Sequence, residues 1–167
     1  MKDTFMEHNM ISCIHERLNF IYSLSENVYK SLKNEMELKA LYNYYNGHYI
    51  KINDKYEYQK YPVPVISIEG KGDIGFNIDG VWIEFFIDRE TFYKANIEEL
   101  INKYDVEIYG GNNCLIDFYS DGKSVEDLFS DIENSDEEII GISIYLKDTK
   151  YNNIKDAFFE VCSLLNM

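Results

Sequence analysis

The stretch Tyr61 to Asp88, YPVPVISIEGKGDIGFNIDGVWIEFFID, limits the possible folds more than any other part of the chain. It reads as three consecutive β-strands joined by glycine-containing turns. Asp79-Gly80 is a favoured dipeptide for a two-residue type I′ hairpin loop, because both central residues need positive φ. With that loop, Ile78 faces Val81, Phe76 faces Ile83 and Ile74 faces Phe85, so six apolar residues share one side. The other side receives Asn77 with Trp82, Gly75 with Glu84, and Asp73 with Phe86. A slip of one residue would mix the two sets, so turn chemistry and alternation support the hairpin independently. Pro62 and Pro64 keep the preceding chain extended. Proline donates no ladder hydrogen bond, so they mark an edge or an entry of the first strand. Ile66 and Ile68 then point inward.

Composition bounds what the flanking chain can be. A length of 167 residues fits one domain with a substantial core, and 46% hydrophobic residues exclude disorder over most of it. The net charge of −14 repels phosphate backbones and argues against nucleic-acid binding, while it suits a basic protein partner. The opening MKDTFMEHNM lacks the basic and apolar regions of a signal peptide. No apolar run reaches the roughly 18 residues of a membrane span, so no membrane association is expected. Cys13, Cys114 and Cys162 are odd in number and widely spaced, which suits reduced thiols and a cytoplasmic location. Cys114 and Cys162 fall on expected core faces, where cysteine acts as a small hydrophobe.

Taken in order, Thr4 with Glu7 fits a capping box. Ile11, Ile14, Leu18, Ile21, Val28 and Leu32 then succeed one another at helical spacing, interrupted by Ser25. A break falls near Ser31 to Asn34, and Met36, Leu41 and Tyr45 carry the helical pattern on towards Gly47, a C-terminal stop. Residues 1–46 are therefore expected to be a helical segment, with its apolar face available for a homodimer, and 47–167 a sheet with three helices. Tyr49 to Ile52 and Tyr56 to Tyr58 flank Asn53-Asp54-Lys55 as a hairpin. Asn96 with Glu99 caps a short helix, and Gly110 to Asn113 turns the chain between strands 106–109 and 114–119. Ser124 opens another helix, Asp131 to Glu138 is an acidic loop, and Ile140 to Leu146 alternate as a strand. Ile154, Phe158, Val161 and Leu165 end the chain as an amphipathic helix. Strands thus come in hairpin-connected runs without βαβ alternation. The expected class is α+β: a mostly antiparallel sheet with helices packed on one face, a long N-terminal helix and a C-terminal amphipathic helix.

Several short runs match motifs of known chemistry in letters but lack their structural requirements. Gly70-Lys71-Gly72-Asp73-Ile74-Gly75 matches G-x-G-x-x-G, but a hairpin comes next where a dinucleotide site needs a helix. Gly122-Lys123-Ser124 ends like a P-loop, but Asp117 stands where its first glycine belongs. His8 and His15 are seven apart, two helical turns, which is too far for shared metal ligation. Asp131-x-Glu133-x-Ser135 lacks the glycine and the final glutamate of a calcium loop. No G-x-S-x-G occurs, and Cys114 has no adjacent histidine. The sequence therefore assigns no catalytic residue, metal site or cofactor.

One constellation remains. The polar face of the central hairpin carries Trp82 and Phe86 with Asp73, Asn77 and Glu84. Trp82 is the only tryptophan, and a large aromatic on this face needs either a covering helix or a partner. Aromatics interspersed with carboxylates suit a cationic protein patch. In addition, Tyr61-Pro62-x-Pro64, Gly72-Asp73-x-Gly75, Ile108-Tyr109-Gly110 and Asp117-Phe118-Tyr119 together resemble a small prokaryotic family of unknown function. That resemblance spans roughly Tyr61 to Tyr119 and implies no catalytic residues. In size, charge and architecture the chain is similar to secretion chaperones and immunity proteins. The expected function is a noncatalytic, cytosolic protein-binding module for a basic partner. The alternative is a small enzyme or small-molecule-binding protein with a pocket between sheet and helices.

Overall fold

The computed structural model describes residues 2–52, 55–77, 80–119, 122–146 and 151–167; the side chains of 2–14, 39–42, 44–61 and 151–152 lie outside the description. The chain begins with helix α1 (Lys2–Leu32). Ile21, Leu24, Val28 and Leu32 recur along one side of it and are buried. Ser25 is buried in the same stripe, and its hydroxyl satisfies itself on the Tyr22 carbonyl at 2.8 Å. The helix starts ahead of Thr4, so the Thr4–Glu7 pair does not open it, and it stops at Leu32, inside the expected break.

Beyond that break the chain is extended. Strand β1 (Leu38–Ile52) runs antiparallel to β2 (Lys55–Ile68), Ile52 standing opposite Lys55. The expected helical segment to residue 46 is thus corrected: its last part is the start of a long hairpin. Met36, Leu41 and Tyr45 fit a helical spacing, but Tyr42, Tyr44, Tyr45 and Tyr49 favour strands, and the partner β2 decides the matter. The hairpin expected around residue 54 is present, although Asn53 and Asp54 lie outside the described residues.

The remaining elements are β3 (Gly72–Phe76), β4 (Val81–Asp88), α2 (Arg89–Lys94), α3 (Ile97–Lys103), β5 (Asp105–Gly110), β6 (Asp117–Tyr119), α4 (Val125–Glu133), β7 (Ile139–Leu146) and α5 (Tyr151–Leu164). Four helices come after the hairpin where three were expected, because Ala95 and Asn96 separate α2 from α3. The strands form one antiparallel sheet in the order β1-β2-β3-β4-β7-β5-β6. Pro62 and Pro64 sit where β2 has β1 on one side and has already passed the end of β3 on the other, so their missing donors leave an edge position unpaired.

One face of the sheet carries Ile66, Ile74, Phe76, Ile83, Phe85, Ile108, Ile142 and Ile144, all fully buried. They form a single apolar cluster with buried residues of α1, α2, α3, α4 and α5, and Phe85 stacks on Phe158 of α5 with centroids 5.7 Å apart. The fold is α+β, with the helices packed on the sheet. The caps obey local chemistry. Ser124 accepts the Asp127 N–H at 3.1 Å and opens α4 as expected, and Asp88 accepts the Thr91 N–H at 2.7 Å ahead of α2. Asn96 differs: its side-chain amide donates to Glu99 and makes no cap bond to the backbone.

Two expectations after β5 are corrected. Cys114 is exposed in the turn between β5 and β6, since pairing of β6 begins only at Asp117, whereas Cys162 is buried as expected. The segment 131–138 is only in part the expected acidic loop: Asp131, Glu133, Asp136 and Glu138 are exposed, but not all of it is loop and Glu137 is buried. Asp131 and Glu133 belong to α4, and the turn after it is clamped by Arg89. Its guanidinium donates to the carbonyls of Ser135 at 2.7 Å and Glu137 at 2.8 Å. Glu137 is itself buried and accepts the Asn112 N–H at 3.1 Å.

Candidate functional site

The central hairpin has a different register from the one its turn chemistry suggests. Phe76 pairs with Val81, Ile74 with Ile83, Gly75 with Trp82 and Asp73 with Glu84. Asn77 and Gly80 exchange backbone hydrogen bonds at 2.8 and 3.4 Å, so the closing pair of the hairpin is Asn77–Gly80, and residues 78 and 79 stand between them. Both lie outside the described residues, and with them the expected Ile78–Val81 pair. The pairs Phe76–Ile83, Ile74–Phe85, Asn77–Trp82, Gly75–Glu84 and Asp73–Phe86 are replaced. Moving the bend by one residue changes each pairing by two, so every side chain keeps its expected face.

Sterics account for this register. A Cβ placed on Gly75 would lie 1.9 Å from the Trp82 ring, so the indole occupies the space that the glycine leaves open. A Cβ on Gly80 would come within 2.6 Å of the Leu146 carbonyl, so that glycine is required for close approach to β7. The G-x-G-x-x-G run has a similar explanation. Gly70 takes φ +65° in the β2–β3 turn, Gly72 lies against the Glu84 carbonyl, and Gly75 beds the tryptophan.

All five expected contact residues, Asp73, Asn77, Trp82, Glu84 and Phe86, are placed by strand parity on the face opposite the apolar cluster. Trp82, Asp73, Asn77 and Glu84 are half-buried, and Phe86 is 51% exposed. The sheet then adds residues that local sequence could not. Strand β4 pairs with β7, and β7 with β5, which brings Tyr145, Ser143 and Gly141, and then Asp105, Glu107 and Tyr109, onto the same face. The Tyr109 ring lies over Gly141, where a Cβ would come within 2.3 Å of it, and meets Phe86 edge-on at 6.3 Å. Its hydroxyl donates to Glu84. The signal for Tyr109 is the glycine opposite it in β7, which is visible only once the strand order is known.

Glu84 is the electrostatic centre of this face. Burial raises its pKa above the ordinary carboxylate value, the Tyr109 hydrogen bond opposes that, and the neighbouring charge of Asp73 adds to it. Burial, and then the contact with Glu84, raise the Tyr109 phenol in turn. An open groove of ≈ 530 Å³ lies beside them, lined by Glu84, Phe86, Glu107, Tyr109, Cys114 and Ser143 among others. Aromatic faces beside carboxylates are the surroundings that an ammonium or guanidinium group prefers. A second open groove, of ≈ 460 Å³, lies between α5 and the ends of β5 and β7. There Glu160 accepts from both Lys103 and the Tyr104 hydroxyl, so these three side chains satisfy one another. Among the described residues, no cluster of three His, Cys, Asp or Glu could hold a metal ion, and no helix is long and apolar enough to cross a membrane.

Fold and site together define an antiparallel α+β protein with an aromatic, acidic sheet face. The sequence matches the family described as "Protein of unknown function (DUF3201)" over residues 13–160, and the chain belongs to that family. This agrees with the resemblance read from the Tyr-Pro-x-Pro and Gly-Asp-x-Gly runs. A solved structure described as a conserved hypothetical protein from Pyrococcus furiosus is similar, with TM-score 0.72 and 27% identity over 93% of this chain and 98% of that one. No curated protein matches the sequence.

Proposed function

We propose that this protein is a noncatalytic cytosolic binding module, of the chaperone or immunity kind, that takes a basic protein partner on the sheet face opposite the helices. One observation carries the reading. At the positions of β3, β4, β7 and β5 that register places on this face, there is no lysine or arginine. Asp73, Glu84, Asp105 and Glu107 stand there with Trp82, Phe86, Tyr109 and Tyr145. The net charge of −14 draws a cationic partner from a distance, and the aromatics supply the area that desolvates on contact. Phe86 at 51% and Leu115 at 89% exposure are apolar surface of the kind a partner covers.

The test compares the wild-type chain with a Glu84→Gln/Phe86→Ala/Glu107→Gln variant, each immobilised and exposed at low salt to lysate of the source cells. The wild type is expected to retain a basic protein that raised salt releases, and the folded variant to lose it. Equal retention by both, or retention insensitive to salt, overturns the proposal.

A further inference from the structure

The end strand β1 is an unusual edge. It is 15 residues long, contains no proline and, among the described residues, has β2 on one side only. Fourteen β1–β2 pairs hold the hairpin together, but β2 pairs with β3 only from Val65 to Ile68. From Lys55 to Pro64 the ribbon therefore extends about 30 Å beyond the end of β3, with no third strand beside it among the described residues. Two-stranded ribbons are marginal in water, and a long unprotected edge presents a row of backbone donors and acceptors to any matching strand. The opposite edge of the sheet is β6, only three residues long, which blunts it.

Charge leaves a second copy admissible as the occupant. Residues 43–64 hold Lys51, Lys55 and Lys60 against Asp54 and Glu57, a net charge of +1, so with a total of −14 the rest of the chain carries −15. Two copies of so acidic a molecule repel over most of their surfaces, but not along this arm. The arm also holds six of the 15 tyrosines, residues that favour cross-strand contacts. An antiparallel edge is complementary to itself about a twofold axis. Meanwhile the apolar stripe of α1 from Ile21 to Leu32 is already used in the chain's own core.

We infer that the projecting part of the open β1 edge, residues 47–52, pairs antiparallel with the same segment of a second copy, joining two seven-stranded sheets into one. This surface is separate from the acidic face and does not depend on its function. In light scattering at about 100 μM, the expected mass is twice 19.7 kDa. A variant with residues 47–60 replaced by Asn-Gly leaves Asn46 opposite Tyr61 across a two-residue loop. It is expected to be a folded monomer. A monomeric wild type, or a shortened variant that still dimerises, overturns the inference. Hydrogen exchange on the intact wild type decides the matter even if that variant fails to fold. Amides of β1 are expected to gain protection as concentration rises through dimer formation, and unchanged exchange there overturns the edge assignment.

Discussion

At the scale of single residues, the site is built from glycines as much as from side chains. Trp82 rests where Gly75 has no Cβ, and Tyr109 where Gly141 has none. Gly75→Ala puts a methyl group into the indole and forces it away, so it is expected to cost about 1–3 kcal/mol in urea unfolding. Glu84 gives a pH dependence of known sign. Its folded pKa is raised above 4.5, so the folded chain holds that proton more tightly than the unfolded one. The penalty is absent below the unfolded value, grows as pH rises through the window up to the folded value, and is complete above it. Glu84→Gln keeps an acceptor for Tyr109 without the buried charge. It is expected to raise Tm at about pH 7.5, with the gain fading below about pH 4.5; a constant gain across that range would contradict this account.

At the scale of elements, sequence alone reveals what local periodicity determines. Ile66, Ile74, Ile83, Ile142 and Ile144 take their expected faces because strand alternation is a neighbour-to-neighbour property. The exact register of β3 on β4 is not legible in the same way, because Gly80 serves contact with Leu146 of β7, a strand more than 60 positions away. For the same reason the start of β1 reads as helix: Leu41 and Tyr45 fit either period until Ile66 and Pro62 stand beside them. Tyr109 and Glu107 join the site only through β7. The Arg89 clamp is equally hidden, since its acceptors are the carbonyls of residues 135 and 137. Arg89→Ala strands both carbonyls and is expected to cost about 2 kcal/mol by urea unfolding, with faster amide exchange over 134–138. Arg89→Lys should recover only part of this, because an ammonium lacks the planar fork that reaches both carbonyls.

At the scale of the whole molecule, the dominant quantity is the charge of −14. The two sheet faces divide the work: one holds the helices through aliphatic contact, and the other sets Asp73, Glu84, Asp105 and Glu107 next to aromatic rings. Self-repulsion on that scale works against the folded state and is screened by salt. Raising sodium chloride from about 10 to about 300 mM is expected to increase Tm by about 2–4 °C, the shift that accompanies roughly 1 kcal/mol in a chain of this size. A Tm that falls with added salt would show that attractive ion pairs such as Lys155 with Glu35 outweigh the repulsion.

The indole seated on Gly75 has a practical consequence. It is the chain's sole tryptophan, so emission excited at the red edge of tyrosine absorption comes from one spot on the acidic face. Any molecule that settles there changes the colour or quenching of that light, and the protein thereby reports occupancy of this surface without a label.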